Sequence, residues 1–165
     1  MTLIKDVLEE QVAGWERLAF PDLLHRFILR NGRSYRASAT KVKLGEPKEC
    51  FTNAAKHLLE HRNGTYCEGV TLGSKFTFLF HHAWIVDFKG EVLDPTLADN
   101  TGHQYFGVEF TRREMLHELM RNGHYGLLDS GLGLNTRLMF GIDPKLKAIC
   151  KEIASRKSLL NRSTP

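Results

Sequence analysis

A chain of 165 residues, 42% apolar and 25% charged, with a formal net charge of +4, has the size and make-up of one globular domain whose core needs no disulfide staples. Three cysteines (Cys50, Cys67 and Cys150) without CxxC spacing argue against a disulfide framework and against a cysteine-rich zinc site. No apolar run approaches the ~20 residues that cross a bilayer. Residues 1–6 lack a basic start and an apolar h-region, so a cytoplasmic protein with no membrane role is expected.

Leu3, Ile4, Val7, Leu8 and Val12 recur at helical spacing, which predicts a helix over 2–13. A second helix is expected from Pro21-Asp22, burying Leu23, Leu24, Phe27 and Ile28 and stopped by Asn31-Gly32. Residues 33–48 show no period beyond a possible short strand and read as loop. The region 25–48 carries seven basic groups (Arg26, Arg30, Arg33, Arg36, Lys41, Lys43, Lys48) against one acidic. Such a stretch is either a solvated face or a contact surface for an acidic partner. No nucleic-acid motif accompanies it.

Phe51, Ala54, Ala55, Leu58 and Leu59 form the stripe of a helix over 50–61, closed by Asn63-Gly64. Thr65–Leu72, Phe76–Phe80 and Gln104–Phe110 read as strands, and 82–93 as a hairpin turning at Lys89-Gly90. Thr111 and Glu114 fit a capping box for a helix burying Met115, Leu116, Leu119 and Met120. Five glycines in 123–141 suggest turns, Asp143-Pro144 starts a last helix, and 158–165 is a polar tail. Helices, a set of antiparallel strands, then helices again make an α+β protein. Its expected parts are N-terminal helices with a basic loop (1–47), a core (48–110), a helical part (111–157) and a frayed tail (158–165), all in one domain (1–165).

Cys50 opens its predicted helix, where unpaired N–H groups and the helix dipole favour a thiolate. Its own N–H is placed to receive an oxyanion. Cys67 lies inside a strand and Cys150 inside a helix, neither with such a setting. His82 heads a hairpin strand and has the neutral-range basicity of a proton shuttle. Asp94 ends the return strand, where it can fix the tautomer of His82. Glu68, on the neighbouring strand, is a candidate substrate contact if it does not face solvent. Trp84 is either a pocket wall or a core residue, and the same choice holds for Tyr105-Phe106-Gly107. Alternation turns His81 away from His82. His57 and His61 share a helix face, but the metalloprotease pattern needs Glu where Leu58 stands, so neither a metal nor another cofactor is expected.

Cys-Phe-Thr-Asn-Ala-Ala (50–55), Tyr-Cys-Glu-Gly-Val (66–70), His-Ala-Trp-Ile-Val-Asp (82–87) and Leu-Asp-Pro-Thr (93–96) together resemble the transglutaminase-like branch of the papain-like cysteine hydrolases. The resemblance runs from about Lys48 to Gly107. It implies a cysteine-bearing helix packed on an antiparallel sheet, with Cys50 as nucleophile, His82 as general base and acid, and Asp94 as its orienting group. Papain proteases place a glutamine before the cysteine, and residues 44–49 contain none. The aspartate at 94 is closer to the transglutaminase-like pattern than to the NlpC/P60 pattern, which has a second histidine.

Two functions follow as expectations. One is a thiol hydrolase or acyltransferase (a cysteine peptidase or amidase, or a transglutaminase-like enzyme) acting on an amide, isopeptide or ester bond of a peptide, protein or small-molecule substrate. The other is a catalytically silent papain-like binding or inhibitor module that presents the 25–48 segment to a protein or nucleic acid. Substrate identity and oligomeric state are not encoded in any motif.

Overall fold

The computed structural model describes residues 3–18, 23–38, 41–73, 78–123, 125–128, 151 and 155. In chain order the elements are α1 (Ile4–Arg17), α2 (Leu23–Asn31), β1 (Arg33–Ala37), α3 (Cys50–His61), β2 (Gly64–Leu72), β3 (Leu79–Asp87), β4 (Glu91–Leu93), β5 (Gln104–Phe110) and α4 (Arg112–Asn122). The protein is a mixed α+β structure. The sheet differs from the expected antiparallel one: its strands close in the order β1-β4-β3-β2-β5. β1 lies parallel to β4 and antiparallel to β5, while the other neighbours pair antiparallel. Closure removes the exposed edge that an open sheet would present.

Strand alternation divides the apolar residues into two clusters. Tyr66, Val70, Ala83, Ile85, Leu93, Phe106, Val108 and Phe110 point outward and meet Ile4, Leu8, Leu24, Ile28, Ala54, Ala55 and Leu58 of the helices. Tyr35, Cys67, Trp84, Val86, Val92 and Tyr105 point the other way and cluster without any helix residue, so they fill the barrel. Each fully buried leucine or isoleucine of the outer layer contributes about 1.5–3 kcal/mol.

α3 spans the predicted residues and ends on Arg62 in the left-handed region (φ 51°), whose N–H bonds to the Leu58 carbonyl. The Thr111/Glu114 capping box is present at α4. That helix buries Met115 and half-buries Leu116 and Leu119 as expected, but Met120 is 85% exposed and Glu118 is 1% exposed: the inward stripe takes in Glu118 and leaves Met120 in solvent. α1 begins with Leu3 outside it and 56% exposed. β3 joins residues 79–80 to the histidine strand, so these are not separate strands. The glycine-rich 129–141 stretch, the helix expected from Asp143 apart from Lys151 and Ser155, which are helical, and the tail from Ser158 lie outside the described residues. No helix among the described residues is long and apolar enough to cross a membrane.

Gly107 is required by the barrel interior. A Cβ there would lie 2.5 Å from the Glu68 carbonyl oxygen and 2.7 Å from Cη2 of Trp84. Neither a paired strand nor a buried indole can retreat. Gly107→Ala should cost ~1–3 kcal/mol, read from urea unfolding; an unchanged midpoint would mean that the Trp84 ring is not held against this strand.

Candidate active site

β3 carries His82 on the same side as Trp84 and Val86, the barrel side, and Asp94 follows β4 with the parity of Val92. The hairpin register Ile85↔Leu93 and Val86↔Val92 carries these two candidate side chains to each other. His82 Nε2 lies 2.7 Å from Asp94 Oδ2, with both side chains nearly inaccessible. Asp94 is a carboxylate acceptor, so Nε2 carries the proton and Nδ1 remains for the thiol. Tyr105 Oη donates to the same Oδ2 at 2.9 Å, while the N–H groups of Thr96 and Leu97 donate to Oδ1 at 2.9 and 3.0 Å. Both carboxylate oxygens are thus fixed.

Burial disfavours charge on His82, but its hydrogen bonds and charge interactions with Asp94 and Cys50 outweigh that and push its pKa up to about 9. For Asp94, burial acts upward and is overcome by His82 and the two backbone N–H groups, leaving the carboxyl below its ordinary value. Burial, reinforced by the Asp94 charge, raises the Tyr105 phenol, which therefore stays a donor. The Trp84 indole stacks on the imidazole (24° between planes, centroids 6.2 Å apart) and is fully buried against Tyr35 and Tyr105. It keeps the dyad dry, which strengthens its hydrogen bonds.

Cys50 is the first residue of α3, whose Ala54 and Leu58 pack on the outer face of the barrel. Cys50 is 9% exposed, and its side chain interacts with the His82 ring, adding to the upward push on the imidazole. Glu49, at the N-cap, makes no side-chain cap bond to the helix. Cys67 faces the barrel interior with no exposure, and burial holds its thiol well above the ordinary range; it is inert packing.

The remaining candidates lie elsewhere. Glu68 is on the outer face of β2, opposite in parity to His82, and 1% exposed. Its carboxylate oxygens accept the N–H groups of Leu127 (2.5 Å) and Leu128 (2.7 Å), so it ties down the 127–128 backbone. His81 also faces outward, with its Nε2 2.9 Å from Nε2 of His25 on α2. The His57 and His61 rings lie 4.5 Å apart, yet no group of three or more metal-capable side chains exists among the described residues. Of the basic segment, Arg26 pairs with Glu16, and Arg33 pairs with Glu109 while lying over the Tyr35 ring.

A cleft of about 470 Å³ opens beside Asp94, between Ser38, Lys41 and Leu44 on one wall and Leu97, Asp99 and Thr101 on the other. Sequence reasoning did not single out Asn53. It is buried in α3 one turn after Cys50, with Oδ1 accepting the Glu46 N–H (3.1 Å) and Nδ2 donating to the Glu46 carbonyl (2.7 Å) and to Thr96 Oγ1 (3.1 Å). An asparagine in the first turn of an amphipathic helix, just after a polar loop, was the available signal.

Comparison with protein-family models, with curated proteins and with solved structures finds no match to this chain.

Proposed function

We propose that the protein is a thiol-dependent hydrolase or acyltransferase acting on an amide, isopeptide or ester bond, with the transglutaminase-like arrangement of a cysteine hydrolase. The observation that carries this reading is the buried His82–Asp94 pair at the start of α3, whose first residue, Cys50, interacts with the imidazole. An imidazolium is the counter-charge that a thiolate nucleophile needs. Cys50 Sγ attacks the substrate carbonyl carbon, and the N–H of Cys50 at the helix start supports the oxyanion. His82 gives its proton to the leaving amine or alcohol as the thioester forms. Water, or an amine in a transferase, then attacks the thioester carbonyl; His82 takes its proton, and the thiolate leaves. Asp94 keeps the ring in one tautomer throughout. The cleft beside Asp94 is the adjacent space that can receive part of a substrate.

Incubation with a library of activated esters and peptide amides, followed by mass spectrometry and peptide mapping, tests this. The expected product is a single acyl adduct on Cys50. Adducts on Cys67 or Cys150 with Cys50 unmodified would overturn the assignment. The binding-module alternative has less support, since Arg26 and Arg33 of its proposed surface are engaged with carboxylates of the same chain.

A further inference from the structure

Cys50 and His82 sit on elements that share no covalent constraint: one opens a helix on the outside of the barrel, the other lines its inside. The packed face of α3 holds the helix on the barrel, and the placing of its first turn beside the imidazole depends further on how the segment entering α3 is tied to the segment leaving β4. That entry segment is unusual, because Lys48 takes φ 67°, in the left-handed region, which costs energy for a residue with a Cβ and persists only where surrounding bonds hold it. α3 has no side-chain cap from Glu49 to do so.

Asn53 supplies the anchor. Its amide bonds to both the N–H and the carbonyl of Glu46, as a paired strand would, and its second donor hydrogen reaches Thr96 Oγ1. The N–H of Thr96 in turn donates to Asp94 Oδ1. A second link runs beside it from the Gly45 N–H to the Pro95 carbonyl at 2.8 Å. A Cβ at Gly45 would collide with the Asn53 amide, so the loop closes on this side chain too tightly for any other residue at 45. The chain of bonds therefore runs from the helix of the nucleophile, through Asn53 and Thr96, to the carboxylate that orients the imidazole.

Resting on the function proposed above, we infer that Asn53 is the positioning residue of the site: it sets Cys50 against His82 without touching substrate. The side chain uses both of its donor hydrogens and accepts at Oδ1, and no shorter or charged side chain reproduces that set. Aspartate loses both donors, and alanine loses everything.

The test reads the rate of Cys50 carbamidomethylation by iodoacetamide, quantified by peptide mapping between pH 5 and 10, in the full chain and in Asn53→Ala, Thr96→Val and His82→Ala. In the native protein, reactivity at low pH should depend on His82 and fall in His82→Ala. Asn53→Ala should reproduce that fall, roughly ten- to a hundredfold at pH 6, and shift the profile toward that of His82→Ala. Thr96→Val, which keeps the Glu46 bonds, should move it the same way by less. Should Asn53→Ala not fold, Thr96→Val carries the test alone. Folded variants whose thermal midpoints drop while the profile stays native would overturn the inference and leave Asn53 a structural residue. A native profile insensitive to His82→Ala would instead remove the proposed thiol chemistry, and the inference with it.

Discussion

Cys50→Ala should abolish turnover of any substrate that acylates the protein, by a factor on the order of 10⁴–10⁶, and should leave no thioester. On the proposed mechanism the dyad could not offset the loss of Cys50, because His82 and Asp94 would act on the proton and not on the carbonyl. Cys67→Ala is the control that gives this result meaning. Its thiol is completely buried beside Trp84 and Tyr35, so its removal should cost stability on the order of 1 kcal/mol and leave acylation intact. Retained turnover in Cys50→Ala, measured beside the Cys67→Ala control, would move the chemistry to another group.

Asp94→Asn should destabilise the protein most in mildly acidic solution, and the deficit should shrink as the solution becomes alkaline. His82 has a folded pKa raised to about 9, above the ~6.5 of an unfolded chain. Its contribution is therefore complete below ~6.5 and is lost as pH rises through about 9. Asp94 has a depressed folded value, so its contribution is present above ~3.9 and is lost as pH falls. Both act together between ~4 and ~6.5. In Asp94→Asn the buried imidazole loses the carboxylate that is the larger cause of its raised pKa, so carrying a proton in the fold becomes costly. The gap from the native protein should reach about 3–5 kcal/mol at pH 5.5 and be clearly smaller at pH 9.5. Urea unfolding at those two pH values decides it; equal gaps would show that the pair is held as neutral groups.

The parts of this fold that announce themselves in the sequence are those with one wet and one dry face. α3 and β5 show their spans through a clear stripe and a dense apolar run, and Thr111 with Glu114 marks the start of α4. β1 is nearly silent. Arg33, Ser34, Tyr35, Arg36 and Ala37 offer a single large apolar side chain, and only Tyr35 among them is buried. Barrel closure therefore could not be read. β2 conceals its facing for the opposite reason: helices cover one side and the barrel interior the other, so nearly all its residues are buried and periodicity does not say where Glu68 points. Met120 fits the helical period but lies beyond the edge of what α4 covers. At the candidate site, Cys50, His82 and Asp94 were legible from element boundaries. Asn53 was not, because its three bonds reach residues 46 and 96, which only the closed structure brings beside it. Tyr105 reads from the sequence as pocket wall or core, and its hydroxyl bond to Asp94 is a polar role that strand alternation does not announce.

The lone parallel pairing in the ring has a consequence for how the chain folds. β1 is made before any other strand, yet its partners are β4, at Arg36↔Glu91, and β5, at Tyr35↔Tyr105. It must wait while most of the described chain is assembled, and contacts between such distant residues form slowly because their loop entropy is lost before they stabilise anything. β1 is also what separates β4 from β5, and so it sets the distance across which Tyr105 reaches Asp94. A partly folded chain with the β3–β4 hairpin and α3 in place already holds the thiol and the imidazole. It does not yet hold the tyrosine that fixes the carboxylate, because β5 is brought to its place beside β4 only across β1.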